Sequence, residues 1–531
     1  MANETAIRRE VGAVALMFTG LGSIIGSGWL FGAWRAAQLA GPGAVYAWII
    51  GAVVILFVAL TYAELGAMFP ESGGAVRYGY YSHGSLVGFL AGWSAWIAIV
   101  SVIPVEAEAS VQYMSSWPWT WTQRLYVHAV QGQGELTAPG LSIAAALVVV
   151  YFLVNFWSVK VFAGTNSAIT FFKLIVPAST AIAMVCTGFH WENFQVGVHG
   201  GRHVGDIASI LTAVATSGIV FSYNGFQSPV NLAGEAHNPG RSIPLAIFGS
   251  IALSTVVYLM LQVAFLGAVA PGHLHEGWAA LEYSSPFAQL ALALNLNWLA
   301  ILLYADAFVS PSGTGATYTA TTARMIYAME RSGSLPGILG RVHSRFGIPR
   351  PAMWFNLLVS FTFLFFFRGW GKLAAVISVA TIITYLVVPV SVEVLRRTAP
   401  DLHRPLRVPG LKLLAPVAFV LATLMLYWAR WPHTGQIMLL LMLPMPVYLY
   451  YQAKRGWPDF RRSLRGAWWL IGYLAAVVVL SWAGSKEFEG RGYIGYGWDQ
   501  LCVAVVSLAF FSWGVRSGWR TPALSAIEKP D

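Results

Sequence analysis

The feature that most constrains this chain is a succession of fourteen apolar runs along almost its whole length. A helix needs about 20 apolar residues to cross the hydrocarbon core of a bilayer. Charged residues make up only 10% of the 531 residues, whereas soluble domains carry about 25%. The pattern predicts an all-α integral membrane protein of about fourteen transmembrane helices. The runs extend over residues 12–40, 43–69, 84–114, 139–158, 165–188, 206–236, 244–268, 294–329, 351–367, 373–395, 411–429, 435–452, 467–483 and 498–515.

Lysine and arginine are distributed unevenly between the two sides of the predicted spans. The loops richest in them all fall on the side of the N-terminus: Arg324 to Arg350, Arg396 to Lys412 and Lys454 to Arg465. Cationic loops are retained in the cytoplasm. We therefore expect a multi-pass protein of the cell membrane (the inner or plasma membrane) with both termini cytoplasmic. The excess of 32 basic over 22 acidic residues then reflects topology, and we expect the lipid bilayer rather than nucleic acid as a partner.

Enzyme chemistry is not indicated by any motif. The chain has no H-E-x-x-H, no P-loop and no dinucleotide-binding glycine pattern after a strand. Cys186 and Cys502 lie in apolar runs without metal-ligand spacing, and His273 with His275 in a loop is weak evidence for a metal. We expect no catalytic residues, no metal and no organic cofactor. A channel is also disfavoured, because the spans carry no rings of charge.

Two spans are poor continuous helices. Span one contains Gly20-Leu21-Gly22-Ser23-Ile24-Ile25-Gly26-Ser27-Gly28, and span six contains Ser217-Gly218 and then Ser222-Tyr223-Asn224-Gly225. The first cluster alone fits close helix packing equally well, since Gly22 to Gly26 is a G-x-x-x-G. However, the two interruptions are five spans apart. Interrupted spans in corresponding positions of two halves indicate an inverted-repeat transporter with its binding site near the midplane.

The recurrence of an interrupted span after five spans predicts how the chain is organised. Residues 1–398 are expected to form a ten-helix transport core, with the first repeat in 1–188 and the second in 203–398. Residues 399–531 are expected to hold accessory helices eleven to fourteen and a cytoplasmic tail. The sequence does not indicate whether the protein is a monomer or a homodimer.

The interruption in span one has the chemistry to bind an amino acid. Unwinding at Gly26-Ser27-Gly28 frees backbone N–H groups at the start of the outer half-helix, and these can bind a carboxylate. The freed carbonyls of Ile24 and Ile25 can face an ammonium group. One broken helix can therefore bind both charged groups of an amino acid.

Ionisable residues inside spans are costly and are candidates for proton transfer. Lys173 is the one cation placed deep in a span, and the alternative is a structural ammonium bound to carbonyls of span one. Glu106 follows Pro104, and Asp306 precedes a predicted break at Pro311 to Gly315 in span eight. Three further acids, Glu64, Glu235 and Glu393, lie near span ends and are expected to pair with loop arginines.

Several strings resemble the amino acid, polyamine and organocation (APC) superfamily of permeases. These are GSIIGSGWLF (22–31), YAELGAMFPESGG (62–74), AGEAHNPGRSIP (233–244) and ARMIYAMERSGSLP (323–336). Further strings are similar to the bacterial aspartate:proton symporter group within it: YSHGSLVGFL (81–90), NFWSVKVFA (155–163), DLHRPLRVPG (401–410) and AWWLIGY (467–473). The resemblance extends over most of the chain.

The resemblance implies a substrate site. Ile24, Gly26, Ser27 and Gly28 would hold the amino acid backbone, and Phe221 would be the aromatic gate. Ser222, Tyr223, Asn224 and Gly225 would form the unwound segment whose carbonyls meet the ammonium. Lys173 would be the first choice for proton coupling, with Glu106 or Asp306 as relays. Where relatives often carry Glu, this chain has Gln227, which argues against a titrating carboxylate there.

The expected function is secondary active import of an amino acid, aspartate or another acidic one, by proton symport with alternating access. An exchanger, or a permease for neutral amino acids or polyamines, is the alternative. No clear clamp for a side-chain carboxylate is visible in the sequence. The candidates are Arg35, which fits an interfacial position better, Lys173, and the hydroxyls and amides of Tyr223, Asn224, Thr317 and Tyr318.

Overall fold

A computed structural model describes residues 11–69, 74–127, 134–157, 159–201, 206–343 and 348–528. The charged start Met1 to Glu10, residues 70–73 of the second motif, Ser158, the start of the predicted second repeat at 203–205 and residues 529–531 lie outside the described residues.

The regular structure of the described chain is helical apart from one small hairpin and an isolated bridge between Val11 and Ala236. The first half contains helices Ala13–Ile24 (α1), Gly28–Ala40 (α2), Ala44–Met68 (α3), Gly74–His83 (α4), Ser85–Val100 (α5), Val102–Met114 (α6), Ala138–Trp157 (α7) and Val159–Thr187 (α8). Strands Tyr126–Val127 (β1) and Glu135–Leu136 (β2) pair antiparallel between α6 and α7. Short 3₁₀ turns cover Gly41–Gly43, Thr122–Arg124 and Trp191–Gln195.

The second half continues in the same way. Its helices are Ile207–Thr216 (α9), Ile219–Tyr223 (α10), Ser228–Asn231 (α11), Pro239–Ala268 (α12), Pro286–Ala293 (α13), Asn297–Arg331 (α14), Arg350–Phe366 (α15), Trp370–Thr398 (α16), Leu411–Trp428 (α17), His433–Met442 (α18), Met445–Lys454 (α19), Phe460–Ala483 (α20), Trp498–Ser517 (α21) and Pro522–Glu528 (α22). The 3₁₀ turns are Ala233–Glu235, Pro271–Leu274, Trp278–Ala280, Gly337–Gly340 and Lys486–Phe488.

All fourteen apolar runs correspond to helices. Among the described residues, ten helical segments are long and apolar enough to cross a membrane, and α1, α9 and α15 are shorter apolar helices. The long α14 accounts for the remaining run. The outward faces are apolar, as in α21, where Leu501, Val505 and Leu508 are exposed. Exposed apolar side chains on helices of this length are what a lipid-facing surface requires.

The helices pack around a buried centre made of α5, α6 and α16. The most apolar stretch of Ser85–Met114 is completely buried, and the most apolar stretch of Trp370–Thr398 is almost completely buried. Helix α16 packs against α5, and α6 packs against α14. The broken helices of spans one and six lie against this centre, since α10 contacts both α2 and α16.

Some contacts between spans recur at an interval of five spans. Span two packs on span seven (α3 on α12), and span three packs on span eight (α6 on α14). Span three also contacts span four (α6 on α7), just as span eight contacts span nine (α14 on α15). Replacing each span by the one five places along maps the contact of spans three and four onto that of spans eight and nine, as expected for a repeated core. The residue limits given above for the repeats and the accessory part stay a prediction.

An ion pair lies on the side on which α1 begins, here called the N-terminal side. Arg396, near the end of α16, donates to both carboxylate oxygens of Glu64 in α3, at 2.7 and 2.6 Å. The backbone N–H of Val408 adds a third hydrogen bond to Glu64, at 2.8 Å. The expected pairing of Glu64 with a loop-side arginine is therefore confirmed. It fixes the end of span ten and the following loop to span two.

Candidate functional site

Span one is interrupted one residue earlier than the predicted Gly26-Ser27-Gly28. Helix α1 ends at Ile24, Ile25 leaves helical geometry at φ −86°, ψ 88°, and helix resumes at Gly28. The interruption therefore comprises Ile25, Gly26 and Ser27. Such a break leaves carbonyls free at the end of α1 and N–H groups free at the start of α2.

Span six is interrupted twice. Helix α9 ends at Thr216, and Gly218, at φ +93°, is the N-cap of the five-residue helix α10. A second break over Asn224 to Gln227 separates α10 from α11. The expectation that Ser222 and Tyr223 are unwound is wrong, because Gly218 takes up the change of direction and lets one helical turn form after it. Of the predicted segment, Asn224 and Gly225 are non-helical.

The two broken spans meet at these interruptions. Gly225 has φ +116°, and a Cβ there would lie 2.7 Å from the carbonyl carbon of Ser23, so only glycine allows this approach. Tyr258 of α12 bridges the breaks, because its hydroxyl lies 3.2 Å from the carbonyl oxygen of Ile24 and 3.0 Å from that of Ser222. The structure thus brings both halves of the predicted substrate site together.

Glu106 of α6 contacts the backbone just before α2, the second half of span one. Its Oε2 accepts a 2.8 Å hydrogen bond from the backbone N–H of Ser27. The side chain is 0% exposed, and its Oε1 has no hydrogen-bond partner among the described residues. The carboxylate of Glu106 therefore binds the N–H of Ser27, one of the backbone groups predicted to bind a substrate carboxylate.

Lys173 of α8 contacts α1, the first half of span one. Its Nζ donates to the carbonyl oxygen of Gly22 at 3.0 Å and to Oγ1 of Thr314 at 2.6 Å. The side chain is buried, and its charge interacts with those of Glu106 and Asp306. The ammonium thus ties α1 to α14 in the same cluster as both predicted relay carboxylates.

Asp306 lies on α14, one turn before Ser310, which donates a 2.6 Å hydrogen bond to its Oδ1. The predicted break at Pro311 to Gly315 is wrong, because α14 runs unbroken from Asn297 to Arg331. Proline leaves the carbonyl four residues earlier without its helical partner. Here that carbonyl belongs to Ala307 and accepts a 2.7 Å hydrogen bond from Ser110 of α6. A serine from span three thus replaces the missing bond.

Trp370 was not among the predicted site residues. It begins α16, and its Nε1 donates to Oγ of Ser27 at 2.9 Å. Its ring lies edge-on to Phe221, 5.9 Å between centroids, and 4.9 Å from Phe31. The predicted gate residue Phe221 therefore packs on an indole that also holds the break of span one. No spacing rule singles out this residue among 23 tryptophans.

Two further polar groups lie at the interruptions. Tyr318 of α14 donates to the carbonyl oxygen of Ser23 at 3.2 Å. Asn224 accepts from Gln227 at 3.0 Å, while its own Nδ2 is buried without a partner within the described part of the chain. Arg35 lies two turns beyond Gly28, where it bonds to Gln38 at 2.8 Å and covers the ring of Trp34. Arg35 also hydrogen-bonds to the side chain of Tyr126, so it contacts its own helix and β1 rather than the breaks.

The cluster as a whole combines one ammonium, two buried carboxylates and backbone groups freed by two broken helices. Groups of this kind can bind a zwitterion and can exchange a proton. Among the described residues, no group of three or more His, Cys, Asp or Glu side chains could hold a metal ion.

Comparison with known proteins agrees with this geometry. The family described as amino acid permease matches residues 11–448. The chain is 57% identical over 520 residues to the glutamate/serine transporter AimA of Bacillus subtilis (strain 168), covering 98% of this chain and 95% of that protein. It is 36% identical over 522 residues to the aspartate-proton symporter of the same organism, covering 98% of both.

A more distant relative comes from an animal. The large neutral amino acids transporter small subunit 2 of Mus musculus is 28% identical over 508 residues, covering 91% of this chain and 88% of that protein. All three relatives are transporters rather than enzymes. The chain belongs to the amino acid permease family of the APC superfamily and is a multi-span membrane transporter.

Proposed function

We propose that the protein imports an acidic amino acid, glutamate or aspartate, together with a proton by alternating access. The observation that carries this proposal is the hydrogen bond from the N–H of Ser27 to the buried carboxylate of Glu106. A substrate carboxylate arriving at the same N–H must compete with Glu106. The two negative charges also repel each other in a medium of low dielectric.

Protonation of Glu106 removes both obstacles. A neutral carboxyl group is a weaker acceptor for the Ser27 N–H and does not repel the substrate carboxylate. Proton and substrate therefore bind more favourably together than either does alone, which is thermodynamic coupling between two sites. The proton is taken up from outside with the substrate and is released inside when the substrate leaves.

Lys173 and Asp306 complete the proposed coupling cluster. The ammonium of Lys173 balances Glu106 when that side chain is ionised, and it holds α1 through the carbonyl of Gly22. Neutralising Glu106 leaves this cation with Asp306 as its remaining acidic neighbour. The balance of charge around α1 thus changes with each proton, and α1 is the half-helix that must move to open the N-terminal side.

The orientation comes from the distribution of charge. With the cationic loops in the cytoplasm, the N-terminal side faces inward and the contact of Phe221 with Trp370 lies on the outer half of the site. Outer closure then involves α2 and α10, and inner opening involves α1 and α11. The cell membrane is the proposed location.

Glutamate is the first substrate to test, because the 57% identical relative is a glutamate/serine transporter and the 36% identical relative is an aspartate symporter. The buried Nδ2 of Asn224, which has no partner among described residues, is a suitable donor for a side-chain carboxylate. Serine is a second candidate from the same relative's name. Its hydroxyl can accept from the same amide.

Uptake into proteoliposomes tests the proposal. We expect labelled glutamate to accumulate when the outside is acidic relative to the lumen, with aspartate competing and leucine and spermidine failing to compete. Lys173→Gln should abolish accumulation but retain glutamate binding, whereas the exposed control Lys486→Gln should transport normally. Uptake that needs preloaded amino acid and ignores the proton gradient would establish an exchanger instead.

A further inference from the structure

A cavity of about 470 Å³ lies on the N-terminal side, away from the two helix breaks. Four distant parts of the chain form its walls. Arg77 and Tyr80 belong to α4, Arg331 ends α14, Asp459 lies in the loop before α20, and Trp519 belongs to the C-terminal segment. A volume of several hundred Å³ is typical of sites for small organic ligands.

The C-terminal segment is held in place as one wall of this cavity. Its residues after α21 bond to the last turn of α4, where helix carbonyls lack intrahelical partners. Trp519 donates from its backbone N–H to the carbonyl of Ser82 and from Nε1 to that of His83, both at 3.0 Å. Thr521 donates to the carbonyl of Tyr81 at 3.1 Å, and Leu524 is fully buried. The wall is therefore a packed part of the fold.

Basic side chains outnumber acidic ones in the described lining of the cavity. Arg77 and Arg331 are exposed residues of its lining, and Asp459 is the one carboxylate among the described lining residues. Two more arginines stand at its edge. Arg455 donates to the carbonyl of Ser332 at 3.2 Å, and Arg462 lies over the ring of Trp519.

The remaining lining is neutral. Burial raises the pKa of Tyr80 to about 12, although its hydrogen bond with Ser334 acts in the opposite direction. The phenol therefore adds no negative charge at neutral pH. Ser85, Ser332 and Ser463 contribute hydroxyls, and the tail contributes apolar surface at Ala523 and Ile527. Several arginines beside hydroxyls and an aromatic wall are the groups that bind phosphate esters.

We propose that this cavity binds a phosphate-bearing ligand, with Arg77 and Arg331 contacting the phosphate and the C-terminal tail covering the remainder. The ligand is a free organic phosphate or the headgroup of an anionic lipid, since both present the same anion. Such a ligand bridges α4, α14 and the tail, three parts that are far apart in sequence. The site is separate from the proposed transport site.

Binding of pyrophosphate to the purified protein in detergent at low salt tests the free-phosphate source, with calorimetry as the readout. The lipid source is tested by comparing thermal unfolding in nanodiscs of phosphatidylglycerol and of phosphatidylcholine. The double variant Arg77→Gln/Arg331→Gln removes the proposed contacts. The control Arg324→Gln/Arg341→Gln removes two exposed arginines that do not line the cavity.

We expect the double variant either to bind pyrophosphate at least about tenfold more weakly or to lose the stabilisation by phosphatidylglycerol, while the control behaves as the parent protein. Ala523→Trp fills the cavity from the exposed tail and should have the same effect without removing charge. Proton-driven glutamate uptake by these variants shows that they are folded. If all variants match the parent protein in both experiments, or if neither phosphate source acts on the parent protein, the proposal is wrong.

Discussion

The indole Nε1 of Trp370 lies 2.9 Å from Oγ of Ser27 and donates a hydrogen bond to it. One residue at the start of a buried, continuous helix thereby holds the interruption of span one. The same ring contacts Phe221, and a Cβ on Gly218 would lie 2.7 Å from it. Trp370 is therefore a positioning residue that joins both broken spans on the half of the site away from the N-terminal side.

Replacing Trp370 should loosen the contact between the two broken spans and so favour opening of this half of the site. Trp370→Phe keeps an aromatic ring but loses the hydrogen bond, which is worth about 1 kcal/mol, or about a fivefold shift in the open–closed equilibrium. We expect a cysteine at Ser217, in a background without Cys186 and Cys502, to react about fivefold faster with an impermeant maleimide. The exposed Trp498→Phe is the control. Unchanged labelling would show that the indole does not secure the closed state.

Glu106→Gln should separate transport from the proton gradient. The amide oxygen can still accept from the N–H of Ser27, so the break keeps its geometry while the side chain can no longer titrate. We expect glutamate exchange between preloaded vesicles to persist and accumulation driven by a proton gradient to disappear. Glu276→Gln, at an exposed loop position, should accumulate glutamate normally. Full gradient-driven accumulation by Glu106→Gln would exclude Glu106 as the coupling group.

Glu64→Gln should destabilise the protein. The carboxylate is 0% exposed and receives three hydrogen bonds, two from Arg396 and one from Val408. Breaking a buried ion pair on one side costs about 3 kcal/mol, because the other charge is left uncompensated. Unfolding in mild detergent measures the loss, and Glu487→Gln at an exposed site is the control. The double variant Glu64→Gln/Arg396→Gln should lose less than the sum of the two single changes.

His83 should make the protein sensitive to acid. It lies at the end of α4, outside the spans, and burial lowers the pKa of its imidazole from 6.5 to about 4. Nε2 donates to the carbonyl of Gly514 at 2.9 Å, so the neutral ring accepts at Nδ1 from the hydroxyl of Ser82, at 2.8 Å. Between pH 6.5 and 4 the unfolded chain binds a proton that the folded chain does not.

The free energy of unfolding should therefore fall as the pH is lowered through this range. Above pH 6.5 the titration of His83 leaves the free energy of unfolding unchanged. At pH 4 it lowers this free energy by about 3 kcal/mol. His83→Gln should lack this component when unfolding is followed from pH 7 to pH 4, and the exposed His433→Gln should keep it. Parallel curves for the parent protein and His83→Gln would show that the ring titrates equally in both states.

Hydropathy and glycine spacing determine the membrane architecture, because lipid penalises any span that leaves its backbone unpaired. The apolar runs therefore predict the helices, and the clusters around Gly26 and Gly218 predict where two of them break. The position of Lys173 inside a span is likewise visible in the sequence. These are local properties of consecutive residues, and tertiary contacts do not alter them.

Contacts between distant residues are decided only by the tertiary structure. Pro311 predicts a break that Ser110 of another helix prevents, and Ser222 is helical because Gly218 absorbs the turn. The contact of Trp370 with Ser27 and the hydrogen bond of Glu106 with the same residue join positions separated by 343 and 79 residues. Nothing in either local sequence encodes such pairs, since they depend on how whole helices pack. The apolar and glycine pattern thus determined the class of protein, and packing decided which groups meet at its site.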